Sequence, residues 1–133
     1  MIRRSALAAA FAISCLLMRP AQADGFSIGF DWSDLERCTS GHPNVVGSPA
    51  FDLRGAPAGT VSVRLTLKDL DVPAYDHGGG TVRYGGEGSV PAGAFRYRSP
   101  CPPDGRHTYE WRADALDASG RVLATATASR QYP

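Results

Sequence analysis

The chain has 133 residues, and its 14 Lys and Arg nearly balance its 13 Asp and Glu, for a formal net charge of +1. There is no run of Lys and Arg, which argues against nucleic acid as a partner, and the low net charge argues against electrostatic adsorption to a membrane. A chain of this length is expected to form one small domain.

The first 23 residues have the order of segments that is typical of a cleaved secretory signal. Arg3 and Arg4 form a basic start, Ser5–Met18 is almost entirely apolar, and Ala21–Ala23 offers a small-x-small cleavage site. The apolar run is shorter than the about 20 residues that a membrane-spanning helix needs, although a retained anchor stays an alternative. We therefore expect cleavage near Ala23, export to the periplasm or the medium, no stable membrane insertion, and a single domain over residues 24–133.

Most of the remaining chain shows the alternation of apolar and polar residues that predicts β-strands. Four strands are predicted at Phe26–Trp32, Val61–Lys68, Tyr109–Ala115 and Val122–Ala128, with a shorter one at Thr81–Tyr84. The segment Asp117–Gly120 predicts a hairpin turn between the last two long strands. Helical character is limited to one possible turn near Ser33–Cys38. Together with 15 Gly and 10 Pro for tight connections, this pattern indicates an all-β fold, a sandwich or a barrel.

Two cysteines, Cys38 and Cys101, remain after signal cleavage. In an exported chain two cysteines most simply form a disulfide. A zinc site is the alternative, but neither cysteine belongs to a C-x-x-C pair, so we expect a disulfide and no metal.

Three loop segments concentrate polar side chains that could carry chemistry. Asp69 and Asp71 lie two residues apart after the second predicted strand, so in extended geometry both face the same side. His77 is followed by three consecutive glycines, which suit tight turns or a close approach to a ligand. His107 and Tyr109 open the next strand and point to one side, after a loop that Pro102 and Pro103 stiffen. For each segment a solvent-exposed or packed side chain without function is the alternative.

These segments stand in an order that resembles the phosphatidylethanolamine-binding protein family, also called Raf kinase inhibitor-like proteins, and specifically its short bacterial exported members. The resemblance covers about residues 44–133. It is carried by a D-x-D-x-P element and a P-P-x-G-x-H-x-Y element, here Asp69, Asp71 and Pro73, then Pro102, Pro103, Gly105, His107 and Tyr109. Both elements in this order are more specific than either one alone.

The resemblance implies an antiparallel β-sandwich, with at most short helical turns, and a small surface cavity for phosphate or a phospholipid head group. By analogy Asp69, His77, His107 and Tyr109 line the cavity. The prolines Pro73, Pro102 and Pro103 shape it, and Asp71 is free to meet an ammonium group. Histidine and tyrosine can donate hydrogen bonds to phosphate oxygens. No cofactor is expected.

Three functions follow from these observations. The leading hypothesis is a non-enzymatic binding protein for a small anionic or phospholipid-like ligand. The second is a proteinase inhibitor or other protein-interaction module of the same fold, which would have a protein partner. The third is a hydrolase that uses the Asp and His side chains, but the chain has no G-x-S-x-G nucleophile elbow. We therefore expect no enzymatic activity.

Overall fold

The computed structural model describes residues 25–86 and 88–133, and no helix occurs in these two ranges. The predicted signal segment 1–23 lies outside them. Nine strands follow one another along the described chain: β1 (Ser27–Phe30), β2 (Val45–Gly47), β3 (Phe51–Arg54), β4 (Ser62–Asp69), β5 (Gly79–Arg83), β6 (Gly88–Val90), β7 (Arg96–Arg98), β8 (His107–Leu116) and β9 (Val122–Tyr132). The prediction of an all-β fold is confirmed.

A four-stranded antiparallel sheet with the order β5-β4-β8-β9 forms one layer. The strand β4 shows the same alternation of buried and exposed residues that its sequence predicted. Val63, Leu65 and Leu67 face the core at no more than 2% exposure, and the residues between them face solvent. The hairpin predicted between β8 and β9 is present, closed by a hydrogen bond from the Gly120 amide to the Asp117 carbonyl.

The shorter strands form two further antiparallel sheets, one with the order β1-β3-β6 and one that pairs β2 with β7. Phe51 of β3 reaches Trp111 of β8 with 5.0 Å between ring centroids, and Tyr97 of β7 lies at the same distance from Trp111. The inner faces of the sheets thus pack on a common aromatic core, as expected of a β-sandwich. In place of the helical turn considered near Ser33–Cys38, the chain makes one reverse turn, in which the Leu35 amide donates to the Trp32 carbonyl and Ser33 has a φ of 43°.

A disulfide joins Cys38 to Cys101, with 4.6 Å between their Cα atoms, so that prediction is confirmed. Both cysteines are buried, and the bond fixes the segment after Cys38 against the proline-rich loop before β8. Within residues 25–86 and 88–133, no helix has the length and apolar character needed to span a membrane.

Candidate functional site

The last residue of β4, Asp69, places a carboxylate at the end of the core. It faces inward like Leu67 two residues earlier and is only 4% exposed. Its Oδ1 accepts hydrogen bonds from the backbone amides of Asp71, at 2.9 Å, and Val72, at 3.2 Å. A buried charge is tolerated when hydrogen bonds replace its lost water, and here these bonds also fix the start of the loop after β4.

The second oxygen of Asp69 holds His107, the first residue of β8. Asp69 lies directly opposite Tyr109 in the sheet, so His107, two residues before Tyr109, points to the same side. Because a carboxylate can only accept, Nδ1 of His107 donates to Oδ2 of Asp69, at 2.7 Å. The ring is therefore oriented through Nδ1, and Nε2 is the atom left to meet a ligand.

His77 is the second imidazole of the site, and it is almost fully buried, with 3% of its surface exposed. Its Nδ1 lies 2.8 Å from the carbonyl oxygen of Arg98, to which it must donate. Burial lowers the pKa of His77, and the carbonyl of Arg98 and the charge of Asp69 oppose this effect without cancelling it. At neutral pH the ring is consequently neutral, with an unprotonated Nε2 that acts as an acceptor.

The three glycines after His77 serve packing rather than a ligand. Gly78 turns the chain with a φ of 74°. Gly79 and Gly80 already belong to β5, and a side chain at Gly79 would collide with the backbone of β4. At Gly80 an added Cβ would clash with the ring of Phe95. The run lets β5 lie close to its neighbours and thereby positions His77.

Tyr109 links the two histidines. Its ring centroid lies 5.6 Å from that of His77 and 6.2 Å from that of His107. Burial, together with the nearby negative charge of Asp69, raises the pKa of the Tyr109 hydroxyl well above its ordinary value. The phenol therefore stays protonated at any physiological pH, with Asp69 and the backbone of Cys101 as hydrogen-bond partners of its hydroxyl.

These side chains surround a surface cavity of about 200 Å³. Seven of the residues singled out in the sequence line it: Cys101 of the disulfide, and Asp69, His77, Pro102, Pro103, His107 and Tyr109 of the expected ligand site. The volume lies below the about 300–1,000 Å³ of sites for drug-sized ligands, so the cavity suits a small group.

Two of the residues expected at the cavity lie beside it. Asp71 is exposed, and its Oδ2 accepts a hydrogen bond from the Thr108 amide at 2.7 Å. Pro73 is exposed too and lines a separate groove with Lys68 and Arg112. Both residues help to set the path of the loop between β4 and β5, and neither lines the cavity.

Four lining residues were not singled out in the sequence: Gly41, Pro43, Val72 and Tyr75. Tyr75 contacts His77, with 4.6 Å between ring centroids, and its position two residues earlier in the chain was the available signal. Gly41 lies so close to Pro103 that an added Cβ would stand 3.2 Å from the proline Cβ. The predicted disulfide was the available signal for Gly41 and Pro43, because it ties the segment after Cys38 to the proline-rich loop.

The charge of the lining is unusual for an anion site. Among the described residues that line the cavity none is Lys or Arg, and Asp69 is the acidic one. Positive charge can therefore come only from an imidazole. One ligand atom each from Asp69, Asp71 and His107 lies within 4.8 Å of the others, but a shared cation would have to replace the Asp69–His107 hydrogen bond.

Comparison with known proteins establishes the architecture. The crystal structure of Escherichia coli YbcL, described as a member of the mammalian PEBP family, matches with a TM-score of 0.58 over 80% of this chain and 97% of YbcL, at 19% identity. CT736 of Chlamydia trachomatis, described as a homologue of phosphatidylethanolamine-binding protein, matches with a TM-score of 0.59 over 81% of this chain and 97% of CT736, at 20% identity. The fold is that of the phosphatidylethanolamine-binding proteins.

At these identities the likeness shows the PEBP fold alone. No family model and no curated protein sequence matches the chain. The fold expected from the D-x-D-x-P and P-P-x-G-x-H-x-Y elements is thus confirmed by structure, while the ligand has to be argued from the cavity itself.

Proposed function

We propose that this chain is an exported, non-enzymatic binding protein whose cavity holds a small phosphate-like head group. The observation that carries the proposal is the orientation of His107. Its Nδ1 is engaged by the buried carboxylate of Asp69, and its Nε2 is left for a ligand in a cavity that the ring itself lines.

The other polar groups of the cavity complement a phosphate group that still carries one proton. The Tyr109 hydroxyl, which has Asp69 as a hydrogen-bond partner, can donate to a phosphate oxygen instead, and the unprotonated Nε2 of His77 can accept from a phosphate hydroxyl. A cavity of about 200 Å³ accommodates such a group but not a whole lipid. A phospholipid head group and a free phosphomonoester share this chemistry.

The same groups favour binding over catalysis. The sulfur of Cys101, which lines the cavity, is held in a disulfide, and the pKa of the Tyr109 hydroxyl is raised, so neither is an activated nucleophile. His107 is oriented, as in hydrolytic sites, but the cavity lining places no serine or threonine beside it. We therefore propose that the bound group is retained unchanged.

The proposal can be tested by titration calorimetry in a buffer that contains a chelator, with inorganic phosphate and phosphorylethanolamine as ligands. His107→Ala should weaken binding at least tenfold, because hydrogen bonds to charged groups contribute about 1.5–3 kcal/mol. Thr108→Ala is the matched control, since this neighbour lies on the opposite face of β8 and should leave the affinity unchanged.

The two soluble ligands, together with a sedimentation experiment on lipid vesicles, separate the possible sources of the phosphate group. Tighter binding of phosphorylethanolamine than of phosphate indicates a head group, and sedimentation with phosphatidylethanolamine vesicles then tests the intact lipid. Equal affinities of wild type and His107→Ala for both soluble ligands contradict the proposal.

A second function, a protein-interaction module, is supported by one observation at the rim of the cavity. Leu70, Val72 and Tyr75 of the loop after β4 are 43%, 45% and 39% exposed, and the last two also line the cavity. Inhibition of a panel of serine and cysteine proteinases would test it. Inhibition that is lost when Leu70 and Val72 are both replaced by Ser supports this function, and the absence of any inhibition contradicts it.

A further inference from the structure

A second depression in the surface lies against the proline-rich loop before β8. It has a volume of about 340 Å³, and it is the arginine groove of the paragraphs below. Its lining consists of Arg37, Thr39, Pro102, Pro103, Gly105, Arg106 and Pro133. Pro102 and Pro103 line the cavity as well. These two prolines are therefore a wall that the cavity and the arginine groove share.

The cavity and the arginine groove differ in charge. The cavity lining contains the acid Asp69 and no Lys or Arg, whereas the groove lining contains two arginines and no Asp or Glu. Arg37 and Arg106 are both exposed, and neither makes an ion pair with another residue in the described part of the chain. A guanidinium group can donate two parallel hydrogen bonds to a phosphate or a carboxylate. The groove therefore has the chemistry of an anion site.

Both arginines belong to segments that also build the cavity. Arg106 directly precedes His107, the residue that the proposed function places against the ligand. Arg37 directly precedes Cys38, and the disulfide partner of Cys38 is Cys101, which lines the cavity. The two arginines are thus connected through short, constrained lengths of chain to the walls of the cavity.

The hydroxyl of Tyr132 fixes the backbone on both sides of Arg37. It accepts a hydrogen bond from the Cys38 amide at 2.7 Å and donates one to the Glu36 carbonyl at 3.2 Å. Tyr132 is itself buried, with 5% of its surface exposed. A backbone that is already ordered loses little entropy when a ligand binds beside it, so the position of Arg37 next to the cavity is prepared in advance.

We propose that the arginine groove is a second anion site for the ligand of the cavity, and that this ligand is a phosphate ester with a second anionic group. The inference rests on the proposed function, in which a phosphate-like group occupies the cavity. One anionic group lies against His107, and the ligand crosses the exposed ring of Pro103 to place the other between Arg37 and Arg106. The groove supplies the fixed positive charge that the cavity lining lacks.

Titration calorimetry in a buffer with a chelator tests this inference with two sugar phosphates. Fructose 6-phosphate carries one phosphate group, and fructose 1,6-bisphosphate carries two on the same sugar. Wild type should bind the bisphosphate at least about fivefold more tightly, because exposed charge pairs contribute modestly and two act together. The double variant Arg37→Gln, Arg106→Gln should lower this ratio to about two, the factor that remains because either phosphate can enter the cavity.

The matched control is the double variant Arg83→Gln, Arg121→Gln, which changes the net charge by the same amount. Arg83 lies opposite Ser62 of β4, at the end of the sheet away from His107, and Arg121 lies in the turn between β8 and β9. Both are exposed. The control should keep the wild-type ratio. A control that lowers the ratio as much as the groove variant would show general attraction by net charge and would overturn the second site.

His107→Ala separates a failure of this inference from a failure of the proposed function. If fructose 6-phosphate binds in a way that depends on His107, but wild type binds the bisphosphate no more than twofold more tightly, the second site alone is overturned. If fructose 6-phosphate does not bind, or binds His107→Ala as well as wild type, the proposed function and the second site are both overturned.

Discussion

Two carboxylates on the four-stranded sheet are almost equally buried, yet their surroundings differ. Asp69 is 4% exposed and Asp114 is 3% exposed. Asp69, at the end of β4, is held by two backbone amides and by His107. Asp114, inside β8, accepts hydrogen bonds from Arg64 at 3.0 Å, from Nε of Arg112 at 3.0 Å and from the hydroxyl of Thr125 at 2.8 Å.

The difference separates a structural carboxylate from one that serves a site. Around Asp114, burial acts to raise its pKa, but the hydrogen bonds from Thr125, Arg64 and Arg112 outweigh burial and lower it. All of its partners are side chains of the sheet itself. Asp69 instead holds the side chain of His107, whose ring continues into an open cavity. A buried acid whose partner has an unused atom is thus the better indicator of a binding site.

The cavity end has a covalent support that the Asp114 cluster lacks, and removing it should have the largest effect. Replacing Cys38 and Cys101 together by Ser opens a tether between residues 63 apart in sequence, which should lower the free energy of unfolding by about 4 kcal/mol. Phosphate affinity should fall as well, because Cys101 lines the cavity. Urea denaturation and calorimetry measure both, with reduced wild type as the matching sample.

A double variant that unfolds at the same urea concentration as oxidised wild type would show that the tether is not what stabilises the cavity end. If stability falls but phosphate affinity does not, the loop keeps its position without the bond.

Asp114→Ala is expected to have the next largest effect, on stability alone. Losing the carboxylate removes three hydrogen bonds, but Arg64 and Arg112 have half-exposed side chains that can return to water. The free energy of unfolding should therefore fall by about 1–3 kcal/mol. Phosphate affinity should stay within twofold of wild type, whereas Asp69→Ala should weaken it at least tenfold by releasing His107. An equal loss of affinity in both variants would contradict the distinction between the two carboxylates.

The long strands could be predicted from sequence because each repeats its alternation over many residues, as β4 does with Val63, Leu65 and Leu67 facing inward. The strands β2, β3, β6 and β7 have only three or four residues each. Over such a length the alternation is too short to stand out from a loop. Their pairing is set by long-range partners, such as Phe51 opposite Phe30, which no local pattern contains.

The cavity was predictable in part for the same reason. Asp69, His107 and Tyr109 lie at strand ends, where alternation fixes the direction of each side chain. Pro73 and Tyr75 lie in the loop after β4, whose course depends on the hydrogen bonds that Asp69 and Asp71 make to backbone amides. Side-chain direction in such a loop does not follow from spacing, so Pro73 was expected in the lining and Tyr75 was missed.

The smallest expected effect is a difference in how stability responds to pH at the two ends of the sheet. Burial lowers the pKa of His77 in the folded state. Below about pH 6.5, His77 is therefore protonated in the unfolded chain before it is protonated in the folded chain. Stability should then decrease as the pH falls from 6.5 toward the folded pKa. Asp114 gives the same sign in another window, below the ordinary aspartate pKa of 3.8, because its folded pKa is also lowered.

Urea denaturation between pH 7.5 and 3 separates these two windows. His77→Gln should remove only the decrease that begins near pH 6.5, where one titrating group changes the slope by at most about 1.4 kcal/mol per pH unit. Asp114→Asn should leave that decrease intact and flatten the curve only below pH 3.8. If wild type and His77→Gln give parallel curves between pH 7 and 5, the buried ring is not held neutral. The acceptor role proposed for its Nε2 then loses its physical basis, while the orientation of His107 by Asp69 is unaffected.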